Sequence, residues 1–244
     1  MLTLADSDPD AVALGRAIRS GDVESLDRLL GQRPGLAAAR VRDRKGGSRT
    51  PLHIATDWPG NFPNGPATIA ALVRAGADPD ARFDGPSHAE TPLHWAASSD
   101  DVEAVDALLD AGADIEAPGA SIAGGGPLDD AVGYGQWRAA RRLVERGART
   151  TLWHAAALGL VDRVQEHLAG TPPPALDQVT EAFWQACHGG RRRTAEVLLD
   201  RGADLNWVAS WDRRTPLDIA GESGAVDLAE WLIGRGATSA ADLG

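Results

Sequence analysis

A single cysteine, Cys187, rules out an intrachain disulfide, so this fold is held by packing rather than by cross-links. A reducing compartment is the simple reading of that scarcity. Long apolar runs are missing as well. Nothing approaches the roughly 18 consecutive residues of a membrane-spanning helix, and the N-terminal MLTLADSDPD has neither a basic start nor an apolar stretch. No signal peptide and no membrane segment are expected, and the cytoplasm is the expected location. Positive charge is short: 24 basic residues face 35 acidic ones, a formal net charge of −11. That balance argues against a general affinity for nucleic acid or for anionic membrane, so neither is an expected partner. Lys45 is the only lysine, and such an arginine-heavy set fits a GC-rich, bacterial coding genome. Catalytic motifs are absent too. There is no HExxH, no paired CxxC and no GxSxG, and the histidines are scattered. No catalytic residue, metal site or cofactor is expected. Cys187 falls at a small-residue helical position and reads as a buried structural thiol. Gly124-Gly125-Gly126 precedes a helix, as a phosphate loop would, but Asp129 and Asp130 in the first turn would repel an anion.

What is present is repetition. Thr91 to Ala117, TPLHWAASSDDVEAVDALLDAGADIEA, holds one complete unit. Thr91 is placed to cap a helix, and Pro92 sits at the first helical position, where a missing N–H costs nothing. Leu93, Ala96 and Ala97 form the apolar side of that short helix. Val102, Val105, Leu108 and Leu109 recur at helical spacing in a second, and Gly112 ends it. The pattern returns along the chain at about 10–40, 49–82, 90–117, 126–149, 150–170, 176–207 and 214–240. Residues 1–9 read as a flexible N-terminal tail. Asp57 to Pro66, DWPGNFPNGP, is a loop inserted between the two helices of the second unit. The fifth unit closes on Gly170 to Pro174 with no Gly-Ala-Asp turn, which suggests a bend before the sixth. Seven units of about 33 residues use nearly the whole chain and leave no room for a separate catalytic domain.

TPLH followed at this spacing by Gly-Ala-Asp resembles the ankyrin repeat, and the interrupted units resemble single-domain ankyrin proteins common in bacteria. The resemblance implies an all-α fold: an ankyrin-repeat solenoid of about seven helix–turn–helix units with short β-hairpin fingers, in one domain over 10–240. It implies structural roles for Thr50 and His53, Thr91 and His94, and Thr215, the histidines bonding near the threonine of their motif and the adjoining loop. Asp129, Trp153, Trp184 and Asp218 stand at the histidine position of other units. In the family, partners bind the concave face of fingers and first helices. Carried over by position, the residue after the motif histidine faces that groove: Ile54, Trp95, Asp130, His154, Gln185 and Ile219. Ser98, Ser99, Gly133, Tyr134, His188 and Glu222 follow near the helix ends.

Tryptophan is over-represented, with eight beside one tyrosine and three phenylalanines. Trp207 and Trp211 lie in a finger, and Asp57 and Trp58 begin the insert; exposed tryptophans often mark contact hot spots. The function expected is a non-enzymatic, monomeric protein-interaction module whose partner carries a basic segment that suits the net charge. The competing expectation is a small-molecule binder or unrecognised enzyme around His53, Trp95 and the 57–66 insert. An aromatic-lined cavity with convergent polar groups would favour it, and an open groove would count against it.

Overall fold

A computed structural model describes residues 2–44, 46–85 and 89–243. The chain divides into two compact units, Met1–Ala148 and Arg149–Gly244, where the sequence alone suggested one stack over 10–240.

In the first unit, helix pairs follow one another: α1 (Pro9–Ser20) with α2 (Val23–Gln32), α3 (Pro51–Thr56) with α4 (Gly65–Arg74), α5 (Pro92–Ser98) with α6 (Val102–Asp110), and α7 (Pro127–Gly133) with α8 (Trp137–Glu145). First helices pack in one row, α1 on α3, α3 on α5, α5 on α7; second helices form a parallel row, α2, α4, α6, α8. Helices as short as the six residues of α3 or the seven of α5 and α7 are marginal by themselves. Their stability comes from the neighbours they bury. Leu52, Leu93 and Leu128 occupy the second helical position of successive first helices, and each is buried. Ala96, Ala97, Ala131, Ala139 and Ala140 are fully buried, and their small side chains allow adjacent helices a close approach.

The expected flexible tail is ordered instead. β1 (Thr3–Ala5) pairs in parallel with β2 (Arg40–Arg42), Thr3 against Arg40, and β2 pairs antiparallel with β3 (Ser48–Arg49). Leu4 is buried beneath this edge, and Asp8 caps α1 by accepting from the Asp10 N–H. The apolar residue and the cap are what hold the segment down. Among the described residues, strand pairing of a finger is confined to this sheet and a single bridge from Ser48 to Asp84. No described helix is long and apolar enough to cross a membrane.

The second unit comprises α9 (Leu152–Leu158), α10 (Val161–Leu168), α11 (Leu176–His188), α12 (Arg192–Asp200), α13 (Pro216–Glu222), α14 (Val226–Gly234) and a last turn, α15 (Ala240–Leu243). α9, α11 and α13 pack in a row. Direct packing of α9 on α11 means that the short Gly170–Pro174 connection does not part the fifth repeat from the sixth. Phe183, Cys187, Leu198 and Leu232 lie in the core, and burial pushes the Cys187 thiol up, consistent with an inert structural residue.

Candidate functional site

The motif histidines build the site. His53 is the third residue of α3. Its Nδ1 accepts the Thr50 backbone N–H at 3.3 Å and lies 2.8 Å from the Thr50 hydroxyl, while Nε2 lies 3.1 Å from the Glu90 carbonyl. A carbonyl only accepts, so the ring proton belongs on Nε2 and the hydroxyl donates to Nδ1. His94 repeats the arrangement with Thr91, at 3.1 and 2.9 Å, and with the Gly125 carbonyl at 3.4 Å. Burial pushes His53 down to about 3 and His94 down to about 4, so both rings are neutral at pH 7. Each bond ties one first helix to the residue that precedes the next motif.

Where the histidine is replaced, the same requirement is met otherwise. Trp184 Nε1–H donates to the Arg214 carbonyl at 3.1 Å, and Arg214 immediately precedes Thr215. An indole thus stands in for an imidazole. Asp129 accepts the Gly126 N–H at 2.8 Å, and Asp218 accepts both the N–H and the hydroxyl of Thr215 at 2.9 Å. In the fifth repeat the sequence register was one residue off. Thr151, not Thr150, is the cap, and its N–H donates to His154 Nδ1 at 3.2 Å. His154 is therefore the motif histidine, buried and driven down to about 3, and Trp153 is only half-buried.

That geometry corrects most of the expected groove positions. Ile54 is 3% exposed, Asp130 0%, His154 2% and Gln185 7%. His154 is buried because it is itself the motif histidine, and Asp130 because its carboxyl turns to Ser121 and Ile122 of the preceding finger. Trp95 is the exception, half-buried and wedged by its size. Its ring lies 4.9 Å edge-on to His53 and 5.6 Å from Phe83, and Nε1–H donates to Glu90 Oε2 at 3.1 Å.

Five expected residues do converge. Asp57, Trp58, Trp95, Ser98 and Tyr134 line a cavity of about 400 Å³ in the first unit, near the lower end of small-molecule pockets (about 300–1,000 Å³). Trp58 is 73% exposed and Tyr134 51%. Ser99, also expected near a helix end, completes the lining with Glu90, Ser121 and Gln136, which sequence reasoning did not single out. Glu90 had one usable signal, its place directly before a motif threonine. The insert that carries Trp58 is tied down: the Asn61 N–H donates to Asp101 Oδ2 at 2.6 Å, and Asn64 Nδ2 donates to the Gly21 carbonyl at 2.9 Å. Gly21 is in the left-handed region, and a Cβ there would meet the Pro63 carbonyl oxygen at 2.1 Å. Asp57 accepts from Arg49 at 2.8 Å and pairs with Arg19 at 3.5 Å.

Behind the cavity lies Asp130. Its Oδ1 accepts from the Ile122 N–H and the Ser121 hydroxyl, both at 3.0 Å. Oδ2 receives no N–H or O–H among the described residues, and the carboxyl it adjoins is that of Glu90. Two carboxyl groups bond only when one is protonated. Burial, reinforced by the neighbouring Glu90 charge, raises Asp130 to about 7.

The second unit has its own aromatic surface. Trp211 stands edge-on to Trp184 at 5.5 Å and to Trp207 at 5.3 Å, and His188 lies 5.5 Å from Trp184. Trp211 is 54% exposed, while Trp207 and His188 are half-buried.

Rows of short helix pairs, joined by loops that the motif residues anchor, define a helical repeat protein. A family model of ankyrin repeats in three copies matches residues 14–119, 63–152 and 152–241, and the chain belongs to the ankyrin-repeat proteins. It is 30% identical over 200 residues to an ankyrin repeat and KH domain-containing protein of Caenorhabditis briggsae, across 78% of this chain and 7% of that protein. The chain thus spans a small fraction of the length of that relative. Ankyrin repeats are general protein–protein interaction modules, and the family is typically non-enzymatic.

Proposed function

We propose that this chain is a non-enzymatic interaction module that binds a partner protein through the cavity-bearing face of its first unit, at a basic segment of that partner. The observation that carries the reading is a tethered, aromatic-walled cavity with Trp58 and Tyr134 open to solvent. Large rings held at small entropic cost are what contact hot spots use. The net charge of −11 favours a basic partner. A reducing compartment such as the cytoplasm suits a chain whose sole cysteine is buried.

Peptide display tests this reading. Selection on the wild type should enrich sequences with basic residues, and a Trp58→Ala/Tyr134→Ala variant, altered only at exposed positions, should lose them. No enrichment, or the same enrichment on the variant, removes this face from the function. A second reading is favoured by the same cavity, since an aromatic-lined pocket with convergent polar groups also suits a free small molecule. A thermal-shift screen of metabolites separates the two: a soluble metabolite that raises the melting temperature of the wild type and not of the variant supports it.

A further inference from the structure

The cavity of the first unit has walls of one kind and a floor of another. Trp58, Trp95 and Tyr134 supply ring surface, and Glu90 supplies a carboxylate. Asp57 at the rim is matched by Arg49 and Arg19 and adds no net negative charge. The remaining lining includes the hydroxyls of Ser98, Ser121 and Tyr134, all able to accept a hydrogen bond. Asp130, fully buried behind Glu90, keeps one oxygen without an N–H or O–H donor among the described residues.

We propose that this cavity is a socket for one lysine side chain of the partner, its ammonium at Glu90 and its stem along Trp58, Trp95 and Tyr134. The inference rests on reading this face as a protein-binding surface. Three physical arguments select the occupant. Ring faces attract a cation, by about 0.5–2 kcal/mol according to exposure. A methylene stem lies well against aromatic walls while its charged head finds polar groups. Finally, an ammonium carries three donors that separate acceptors can take, whereas a guanidinium pairs best with both oxygens of one carboxylate. Here one oxygen of Glu90 is already engaged by the Trp95 indole.

Occupancy is linked to a proton. The incoming charge favours the doubly ionised Glu90–Asp130 pair, so binding releases the proton that Asp130 holds. Other titratable groups around the pair are accounted for. His53 and His94 are neutral, Asp57 is paired with Arg49, and Asp129 accepts the Gly126 N–H with Glu116 nearby. Arg82 donates to the Ala89 and Pro118 carbonyls. Affinity therefore weakens by up to about tenfold per pH unit as pH falls below the Asp130 titration.

The test titrates N-acetyl-lysine methylamide into the full chain and follows the Trp95 indole N–H by NMR, assigned with Trp95→Phe. A saturable shift is expected. The norleucine analogue should give none, and Glu90→Gln, its fold checked by circular dichroism, should weaken binding at least tenfold. Asp130→Asn keeps an acceptor oxygen for Ile122 and Ser121 and should bind lysine with no pH dependence. No lysine response up to its solubility, or an equal norleucine response, overturns the proposal. Tighter binding of the arginine analogue overturns the choice of lysine. n-Butylammonium binding as tightly as the capped lysine assigns the pocket to a free amine instead. If Trp58→Ala/Tyr134→Ala loses displayed peptides while capped lysine gives no shift, the surface stands and the socket falls.

Discussion

The two units solve one problem with different residues. In the first, an imidazole from His53 or His94 reaches forward to the carbonyl before the next motif; in the second, the indole of Trp184 does so. An imidazole is compact and leaves room beside it. In the first unit Trp95 takes that room, fixes Glu90, and the cavity opens next to them. In the second, the larger indole fills the space, and Trp211 and Trp207 pile onto it as an aromatic surface. The choice of donor thus goes with a pocket in one unit and a ridge of rings in the other.

The largest effect should come from removing the replacement donor. Trp184→Ala deletes a buried ring and should cost about 3–5 kcal/mol, read by denaturant unfolding. Trp184→Phe sharpens the comparison, because it keeps most of the packing and leaves the Arg214 carbonyl with the Ala209 N–H but without the indole donor; about 0.5–1.5 kcal/mol is expected. A Phe variant as stable as wild type would show that packing alone matters there.

Acid should act next. His53 and His154, near 3, and His94, near 4, are depressed in the fold against about 6.5 in the unfolded chain, so the unfolded chain protonates first. Their stability is full above about pH 6.5 and falls as pH drops toward 3, on the order of 2 kcal/mol per histidine by pH 5. Asp130 has the opposite sign. Raised to about 7 in the fold, it holds its proton while the unfolded chain has lost its own, so it destabilises increasingly as pH rises from about 4 through 7. Asp130→Asn should therefore melt higher than wild type at pH 8, with the advantage shrinking toward pH 4. A constant difference across that range would remove the buried titration. The smallest effect should be that of Trp58→Ala, within about 0.5 kcal/mol in stability because the ring is exposed, although it removes a cavity wall.

Much of the fold was legible because its motif is local. TPLH at Thr50 and Thr91 states cap, first position, core leucine and forward-reaching histidine in four letters, and the helix pairs lie close to where the spacing put them. The reading slipped where those letters blur. In TTLWH either threonine could cap, and without proline to fix the register the reading was placed one residue early. The groove positions failed for a related reason. A place after the motif histidine does not by itself tell a side chain that meets solvent from one that meets protein, and Ile54, Asp130 and Gln185 are buried. Glu90 and Asp130 lie 40 residues apart in sequence, in a finger and a helix that only packing brings together, so their pairing had no linear signal.

The motif bonds also have a direction. His53 holds Glu90, His94 holds Gly125 and Trp184 holds Arg214; each donor supports a residue further along the chain. Damage at one repeat should accordingly travel one way. Cutting the bond from His53 removes a tie on the Glu90 carbonyl, which still accepts the Phe83 N–H, and should disturb the third repeat more than α1 and α2. These motif bonds thus join the repeats like a queue in which a member reaches to the one ahead.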